Sequence, residues 1–529
     1  MDVAHAPVIS RRSLVLVFAL ALGVGTILAI LVEQPGYMDA YYYYNAAHRL
    51  VSGDGLTDPY VWHYLDAPDA LPAPSHTYWM PLQSLLAAGA MALGGATFGA
   101  AQVPSVLCYA GLVTFAFWLG VILGGTRRIA WIGALLVLCS GFFTPFWTTT
   151  DTFAAFGLAG ALAIAASGLG RARRAGKWFL VAGALAGLAH LARADGALLV
   201  AVAGLLAVWP DDRSTWRDRI THALLAAIGY FVLMGPWLAR NVSVMGAPLS
   251  TAGTATIWLR GYDELVRYPP TASFDNFLSW GVGNILGSRW EALTNNLGTF
   301  VAVETWVVLA PFALVGLWRL RRNPLAQSAA LYAIGLHVAM TLVFAYPGYR
   351  GGLFHSSAAL LPYWAVCGTI GLDRAVEALG RRRRWRVRQA QVVFGGALVV
   401  IAALLSIYTL AARLPSLNRN AVVYHQLAEH LPPDATVILN DPPALYYHTG
   451  LSGVVLPDSP PENVLDLAER YGATHVVLDR DRTAPFAALY QGEASVPFLR
   501  LEHVIGQETE DEGDDLQVYA IVPQEAPAP

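Results

Sequence analysis

Twenty-one of the 34 basic residues in this 529-residue chain sit in six short clusters separated by long apolar runs. The clusters are Arg11–Arg12, Arg127–Arg128, Arg171–Lys177, Arg213–Arg219, Arg319–Arg322 and Arg374–Arg388; only seven basic residues lie elsewhere before residue 413. About 20 consecutive apolar residues cross a bilayer as a helix, and loops rich in Arg and Lys stay on the cytoplasmic side. Only 13% of the residues are charged, about half the share in soluble domains. The pattern therefore predicts a polytopic α-helical membrane protein with every cluster inside.

Fixing the clusters on one side makes the number of crossings between neighbouring clusters even. The first span is Leu14–Leu31, read as an uncleaved anchor because no small-residue cleavage site follows it. The run 129–170 turns outside at Thr148–Asp151, and the run 178–209 turns outside at His190–Gly196, each half of the latter being only about 15 residues long. Val103–Leu123 is assigned as the crossing after the first outer loop, with Pro81–Leu93 as a juxtamembrane or half-inserted helix. About eleven spans result, with outer loops at about 34–80 and 240–296 and a further outer turn at Tyr346–His355. The N-terminus is cytoplasmic. The last span, Val392–Ala411, delivers the C-terminus outside.

Residues 1–413 are thus expected to form the membrane domain, and 414–529 a small extracytoplasmic α/β domain. In the latter, Asp434–Asp441 and Thr474–Asp479 read as strands and Glu462–Tyr471 as a helix; a hairpin through Glu508–Asp515 leads to Leu516–Val522. The acidic run reads as a solvated loop, with calcium binding as the minor alternative. Cys108, Cys139 and Cys367 all lie in apolar runs and read as small buried hydrophobes, which excludes a disulfide framework or a zinc site. No P-loop, EF-hand or dinucleotide fingerprint is present, no internal repeat is visible and no nucleic-acid partner is expected. Arg381–Arg384 reads as an anchor against anionic membrane lipids.

The polar residues that this threading does not explain emerge mostly on the outer face. They are Asp39, His48, Arg49, Asp54, Asp58, Asp151, His190, Arg193, Asp195, Arg240, Arg350 and His355. Charge near a bilayer is costly unless it meets water, a partner or a substrate. A carboxylate able to take a proton, set with guanidinium and imidazole groups able to hold an anion, suits group transfer involving a phosphate. Each residue also has a structural reading. Asp39 would cap the first loop helix, Asp151 would cap the helix beginning at Thr152, and Arg193 would pair with Asp195. His190 would close the short hairpin by bonding backbone, and Arg240 would snorkel at a span end. The tyrosines Tyr41–Tyr44 would form an interfacial belt or a substrate wall.

Four motifs in order carry a resemblance. They are Met38-Asp39-Ala40-Tyr41-Tyr42-Tyr43 with Gly53-Asp54-Gly55-Leu56 and Pro59; Arg193-Ala194-Asp195-Gly196; Gly235-Pro236-Trp237-Leu238-Ala239-Arg240-Asn241; and Tyr349-Arg350 before His355 and Pro362. Over about residues 10–375 the chain resembles the GT-C superfamily of polytopic glycosyltransferases, which includes protein O-mannosyltransferases and bacterial aminoarabinose transferases. The resemblance implies an enzyme of the cell (inner) membrane that transfers a sugar from a polyprenyl-phosphate donor on the outer leaflet to an acceptor of unknown class. It implies Asp39 as general base and Arg193, Arg240, Arg350 and His355 at the donor phosphate. Tyr42, His48, Asp54, Asp151 and His190 are the further substrate-contacting candidates. Met38 stands where many relatives carry a second acid; Asp54 or Asp151 would have to supply one. No cofactor is required and no metal ligand is assigned, a divalent metal ion bridging Asp39 to the phosphate being the alternative. The rival readings are a flippase for a lipid-linked saccharide, against which the missing repeat argues, and a non-catalytic envelope-assembly subunit.

Overall fold

Helices occupy the positions where the charge pattern expects crossings. The computed structural model describes residues 10–211, 214–419, 421–506 and 515–522. Among these, six helices are long and apolar enough to cross a membrane by length and composition, including Arg11–Leu31, Phe98–Gly124, Phe153–Arg173 and Trp216–Met245. Shorter or more polar helices stand at the other expected crossings: Arg127–Leu138, Gly176–Ala192, Ala197–Val208, Ala310–Arg319 and Leu361–Arg383. Leu82–Gly94, at 13 residues, matches the proposed juxtamembrane helix. Arg213 and the acidic run Glu508–Asp514, with its calcium alternative, lie outside the described residues.

The helix ends follow from local chemistry. The Thr97 hydroxyl accepts from the Ala100 amide (3.2 Å) at the start of Phe98–Gly124, and Gly125 ends that helix at φ 66°. Thr126 immediately caps the next helix by accepting from the Ile129 amide at 3.3 Å. A two-residue connection therefore sets Arg127 and Arg128 at the mouth of a tight helical hairpin. Side chains on one helix satisfy carbonyls on another: Gln102 donates to Ala29 (3.2 Å) and Val32 (3.3 Å), Ser328 to Ile164 (2.8 Å) and Tyr363 to Ala161 (2.9 Å). Such bonds tie apolar helices together where water does not compete for the donor.

The chain divides into two compact units. The helical unit comprises residues 1–33, 79–248 and 286–415; the second comprises 34–78, 249–285 and 416–529. Both long outer loops thus contribute to the unit built on the C-terminal segment, a partition that differs from the expected division at residue 413. In the second unit, a two-stranded ladder pairs β1 (Thr57–Asp58) with β3 (Ala73–Pro74). A six-stranded sheet runs β2-β5-β4-β6-β8-β7, from β2 (Tyr60–Val61), β4 (Thr436–Leu439), β5 (Ser452–Val455), β6 (Ala473–Leu478), β7 (Leu499–Ile505) and β8 (Leu516–Ile521). The first four in that order are parallel and the last pairs antiparallel.

The first loop supplies β2, which pairs in parallel with β5 through Tyr60↔Gly453 and Val61↔Val454. Val61, Tyr64 and Tyr268, from both outer loops, share one apolar core with Ile438, Val454, Val464 and Leu467. The Tyr64 hydroxyl donates to the Val455 carbonyl, Arg470 donates to the Pro68 carbonyl (3.0 Å) and Asn463 to the Tyr268 carbonyl (2.7 Å).

Asp441 follows β4 and caps Pro442–Thr449, its carboxylate accepting from the Ala444 amide at 3.1 Å. Burial drives its pKa up to about 7 against the lowering effect of that amide, and the charges of Asp39 and Asp479 add to the rise. A carboxyl that holds its proton more tightly when folded stabilises most below its unfolded value, and that contribution disappears as pH rises through about 7. The second unit should therefore lose on the order of 3 kcal/mol between about pH 5 and pH 7 at roughly 1.4 kcal/mol per pKa unit. Asp441→Asn keeps a good cap and should remove most of that slope in denaturation followed by limited proteolysis of the full chain. An unchanged slope would contradict the assignment. The orientation has its own test: Arg322→Cys should react with an impermeant maleimide only after permeabilisation, and Ala494→Cys in intact cells. Reaction of both from one side would contradict the threading.

Candidate functional site

Three distant segments of the helical unit meet around one histidine. The turn Thr148–Thr152 is buried, with Asp151 only 1% exposed. Oδ1 of Asp151 accepts from the Thr152 amide (2.5 Å) and hydroxyl (3.1 Å) just before Phe153–Arg173 begins, while Oδ2 lies 2.9 Å from Nε2 of His355. Nδ1 of His355 donates to the Gly351 carbonyl at 2.8 Å, and the ring stacks on Phe153 at 3.9 Å and 18°. Because a carbonyl and a carboxylate both accept, a proton on each ring nitrogen satisfies both contacts. Burial alone would raise the Asp151 pKa, but His355, the Thr152 amide and Arg193 together hold it below the usual carboxylate range.

Arg193 ends Gly176–Ala192 in extended conformation. Its Nε donates to the Ser356 hydroxyl (3.2 Å) and lies 3.3 Å from Asp195 Oδ1; Nη1 donates to the Thr152 hydroxyl at 3.5 Å. Ser356 in turn donates to Asp195. The glycine of this motif has a steric role: a Cβ on Gly196 would fall 2.4 Å from the His190 amide nitrogen. The turn closes onto its own helix end only without one. Arg193 therefore pairs with Asp195, as its structural reading expected, and is also linked through the Thr152 hydroxyl to the Asp151–His355 pair.

The remaining candidates of this unit have partners of their own. His190 is buried and bonds the Tyr230 hydroxyl through Nδ1 at 2.6 Å, so a side chain, not backbone, satisfies that nitrogen. Arg240 lies over the Trp237 ring at 4.7 Å and donates to Asn241 at 3.4 Å. Arg350 is exposed in the irregular segment Gly348–Gly352.

The second unit holds the rest on the helix Met38–Ser52. Asp39 is in its first turn, where the helix dipole favours negative charge. The N-cap position belongs to Tyr37, so the capping reading of Asp39 does not hold. The tyrosines are core: Tyr41, Tyr42 and Tyr43 are at most 1% exposed and Tyr44 is 8% exposed. Tyr42 accepts from the His76 amide at 2.6 Å and meets Tyr43, Tyr60 and Trp62 edge to face, and Tyr41 bonds His448 at 3.1 Å. A belt at a membrane surface would leave these rings accessible. His48 is half-buried and stacks on Tyr44 at 6.0 Å. Asp54 is half-exposed, 3.6 Å from Arg49, which also donates to Thr57 (3.0 Å) and Tyr446 (3.1 Å).

Sequence reading missed Thr152, whose hydroxyl joins the two ion pairs of the helical unit, and Ser356, whose hydroxyl sits between Arg193 and Asp195. Their only signal was position, one residue after Asp151 and one after His355.

A family model described as dolichyl-phosphate-mannose-protein mannosyltransferase matches residues 75–239, less than half of the chain. Curated protein sequences give no match. Among solved structures, the archaeal oligosaccharyltransferase AglB from Archaeoglobus fulgidus, in complex with an inhibitory peptide and a dolichol-phosphate, superposes with a TM-score of 0.58 at 12% identity. That match covers 88% of this chain and 69% of AglB. ArnT from Cupriavidus metallidurans bound to undecaprenyl phosphate superposes with a TM-score of 0.55 at 16% identity, over 98% of this chain and 99% of ArnT. The mycobacterial arabinofuranosyltransferase AftD gives 0.50 at 14% identity, over 99% of this chain and 42% of its own. The chain thus shares its fold with AglB and ArnT.

Proposed function

We propose that this protein is a membrane glycosyltransferase that moves a sugar from a polyprenyl-phosphate donor to an acceptor hydroxyl, with inversion. The observation that carries the reading is the cluster Asp151–His355 with Arg193–Ser356–Asp195, drawn from three distant segments. An imidazole and a guanidinium fixed by hydrogen bonds form a preorganised anion site, and such preorganisation is worth most where charge develops in the transition state. Asp195 offsets much of the charge of Arg193, so Arg240 and Arg350 are assigned as the further phosphate ligands. Two structures of the same fold, AglB and ArnT, hold a dolichol-phosphate and undecaprenyl phosphate, which supports this donor class.

In the reaction the acceptor oxygen attacks the anomeric carbon while Asp39 takes its proton. The bond from that carbon to the phosphate oxygen breaks, and its electron pair leaves with polyprenyl phosphate. Arg193 and His355 stabilise the leaving phosphate, and the isoprenoid tail lies in lipid along the helical unit.

A divalent ion also suits the donor set. Asp151 Oδ2 and His355 Nε2 are 2.9 Å apart, and neighbouring ligands of an octahedral ion at about 2.1 Å stand about 3 Å from each other. Such an ion would replace the proton between them and supply positive charge beside the phosphate.

Purified protein given polyprenyl-phosphate sugars should release polyprenyl phosphate. Asp39→Asn should slow release by about 100-fold or more, the usual worth of a general base, and Arg193→Ala should weaken donor binding about tenfold. A chelator should abolish release if the ion is used and leave it intact if the arginines suffice. Full activity in Asp39→Asn would remove the base assignment, and movement of the lipid without bond cleavage would favour a flippase.

A further inference from the structure

Glu304 is fully buried in the helical unit, and nothing in the proposed reaction uses it. An isolated carboxylate buried among apolar helices costs several kcal/mol, so its partners matter. Trp364 Nε1 donates to Oε2 at 2.9 Å, and His337 Nε2 lies 3.2 Å from Oε1, at ion-pair distance though not aligned as a full hydrogen bond. Nδ1 of His337 donates to the Ala333 carbonyl at 2.9 Å, which leaves Nε2 to face Glu304.

The backbone is irregular at Glu304 and again just beyond His337, which itself lies in the regular helix Pro324–Val338. Phe300–Glu304 and Ala339–Val343 each wind as one wide π-helical turn, a form uncommon outside functional sites. Just beyond Glu304, Trp306 and Val307 have φ of 49° and 64°. A β-branched residue in that region is strained and persists only where its surroundings hold it. The two segments are laced together along their length. Arg289 donates to the Leu342 carbonyl (3.3 Å), Asn296 to Met340 O (3.2 Å) and Thr341 Oγ1 (3.0 Å), and Glu304 meets His337.

From this lacing a short path leads to His355. A Cβ on Gly348 would fall 2.3 Å from the Met340 carbonyl, so the segment Gly348–Gly352 rests directly on the wide turn at Ala339–Val343. The carbonyl of Gly351 in that segment is the acceptor that orients Nδ1 of His355. Tyr332, which donates to the Ser356 carbonyl at 3.4 Å, lies within electrostatic reach of Glu304, Arg193 and Asp195.

We propose that Glu304 and His337 are positioning residues: their pairing locks the two wide turns together and thereby sets the carbonyl that aims the His355 imidazole at Asp151 and the donor phosphate. The phosphate part rests on the proposed function; the locking part does not.

Full-length protein in nanodiscs separates the two. By hydrogen exchange, Glu304→Ala should speed exchange of amides in 348–355 about threefold or more, since loss of a tie exposes them by local opening. Glu304→Gln, which can still accept from Trp364 and donate to His337, should restore the wild-type rate. His337→Leu, which leaves the Glu304–Trp364 bond, should loosen the same amides and gives a second test if Glu304→Ala fails to fold. In turnover, Glu304→Ala should raise KM for the donor about tenfold with a smaller change in kcat, and Glu304→Gln should reverse it. Wild-type exchange in Glu304→Ala or His337→Leu, or Glu304→Gln failing as badly as Glu304→Ala, would overturn the proposal. A wild-type protein with no transferase activity would remove the proposed function while the exchange result still decides the lock.

Discussion

Charge inside an apolar helical unit must be paired, and much of the arrangement follows from that cost. An ion moved out of water loses several kcal/mol of solvation, recovered only by a well-placed partner. Asp151 meets His355, Arg193 meets Asp195, Glu304 meets His337, and Arg128 meets Asp373. The first two are joined through the Thr152 hydroxyl, which turns two pairs into one network. Breaking one member of such a network leaves an uncompensated charge, so each pair fixes the segments that carry it. The turn at residue 151, the hairpin at 193–196 and the helix start at 355 are held together in this way.

The two units use the chain differently. The helical unit is nearly continuous hydrophobic sequence, and its irregular stretches fall where polar groups are buried. The second unit is assembled from three separate parts of the chain, with β2 from the first outer loop lying against β5 from the C-terminal segment. Asp39 is thereby carried on a helix, Met38–Ser52, that packs on Pro442–Thr449 through Tyr41–His448, Asn45–Pro443 and Arg49–Tyr446. The C-terminal segment thus supplies the support for the proposed base and places Asp441 within electrostatic range of it.

Much of this was legible in the sequence. Charge segregation located the helices, because it reports a transfer energy that each cluster pays independently of tertiary structure. Alternation and turn residues located β4, β6 and β8. Asp151, Arg193 and His355 were found because a polar residue beside an apolar run is conspicuous. What escaped was long-range pairing. A two-residue strand such as Tyr60–Val61 has no periodicity to detect, and the four tyrosines read equally as belt or wall, their place in a core appearing only with their partners in 60–76 and 446–448. Glu304 drew no reading from the sequence, since only the fold brings His337 and Trp364 to it.

The central claim is that the polyprenyl phosphate binds where Asp151, Arg193 and His355 converge. A photoreactive polyprenyl phosphate, with its diazirine beside the phosphate, tests this directly on the purified full-length protein when crosslinked peptides are read by mass spectrometry. The account predicts label concentrated in 148–156, 190–196 and 350–357, competed away by unlabelled polyprenyl phosphate. Competed label confined to other segments would contradict it.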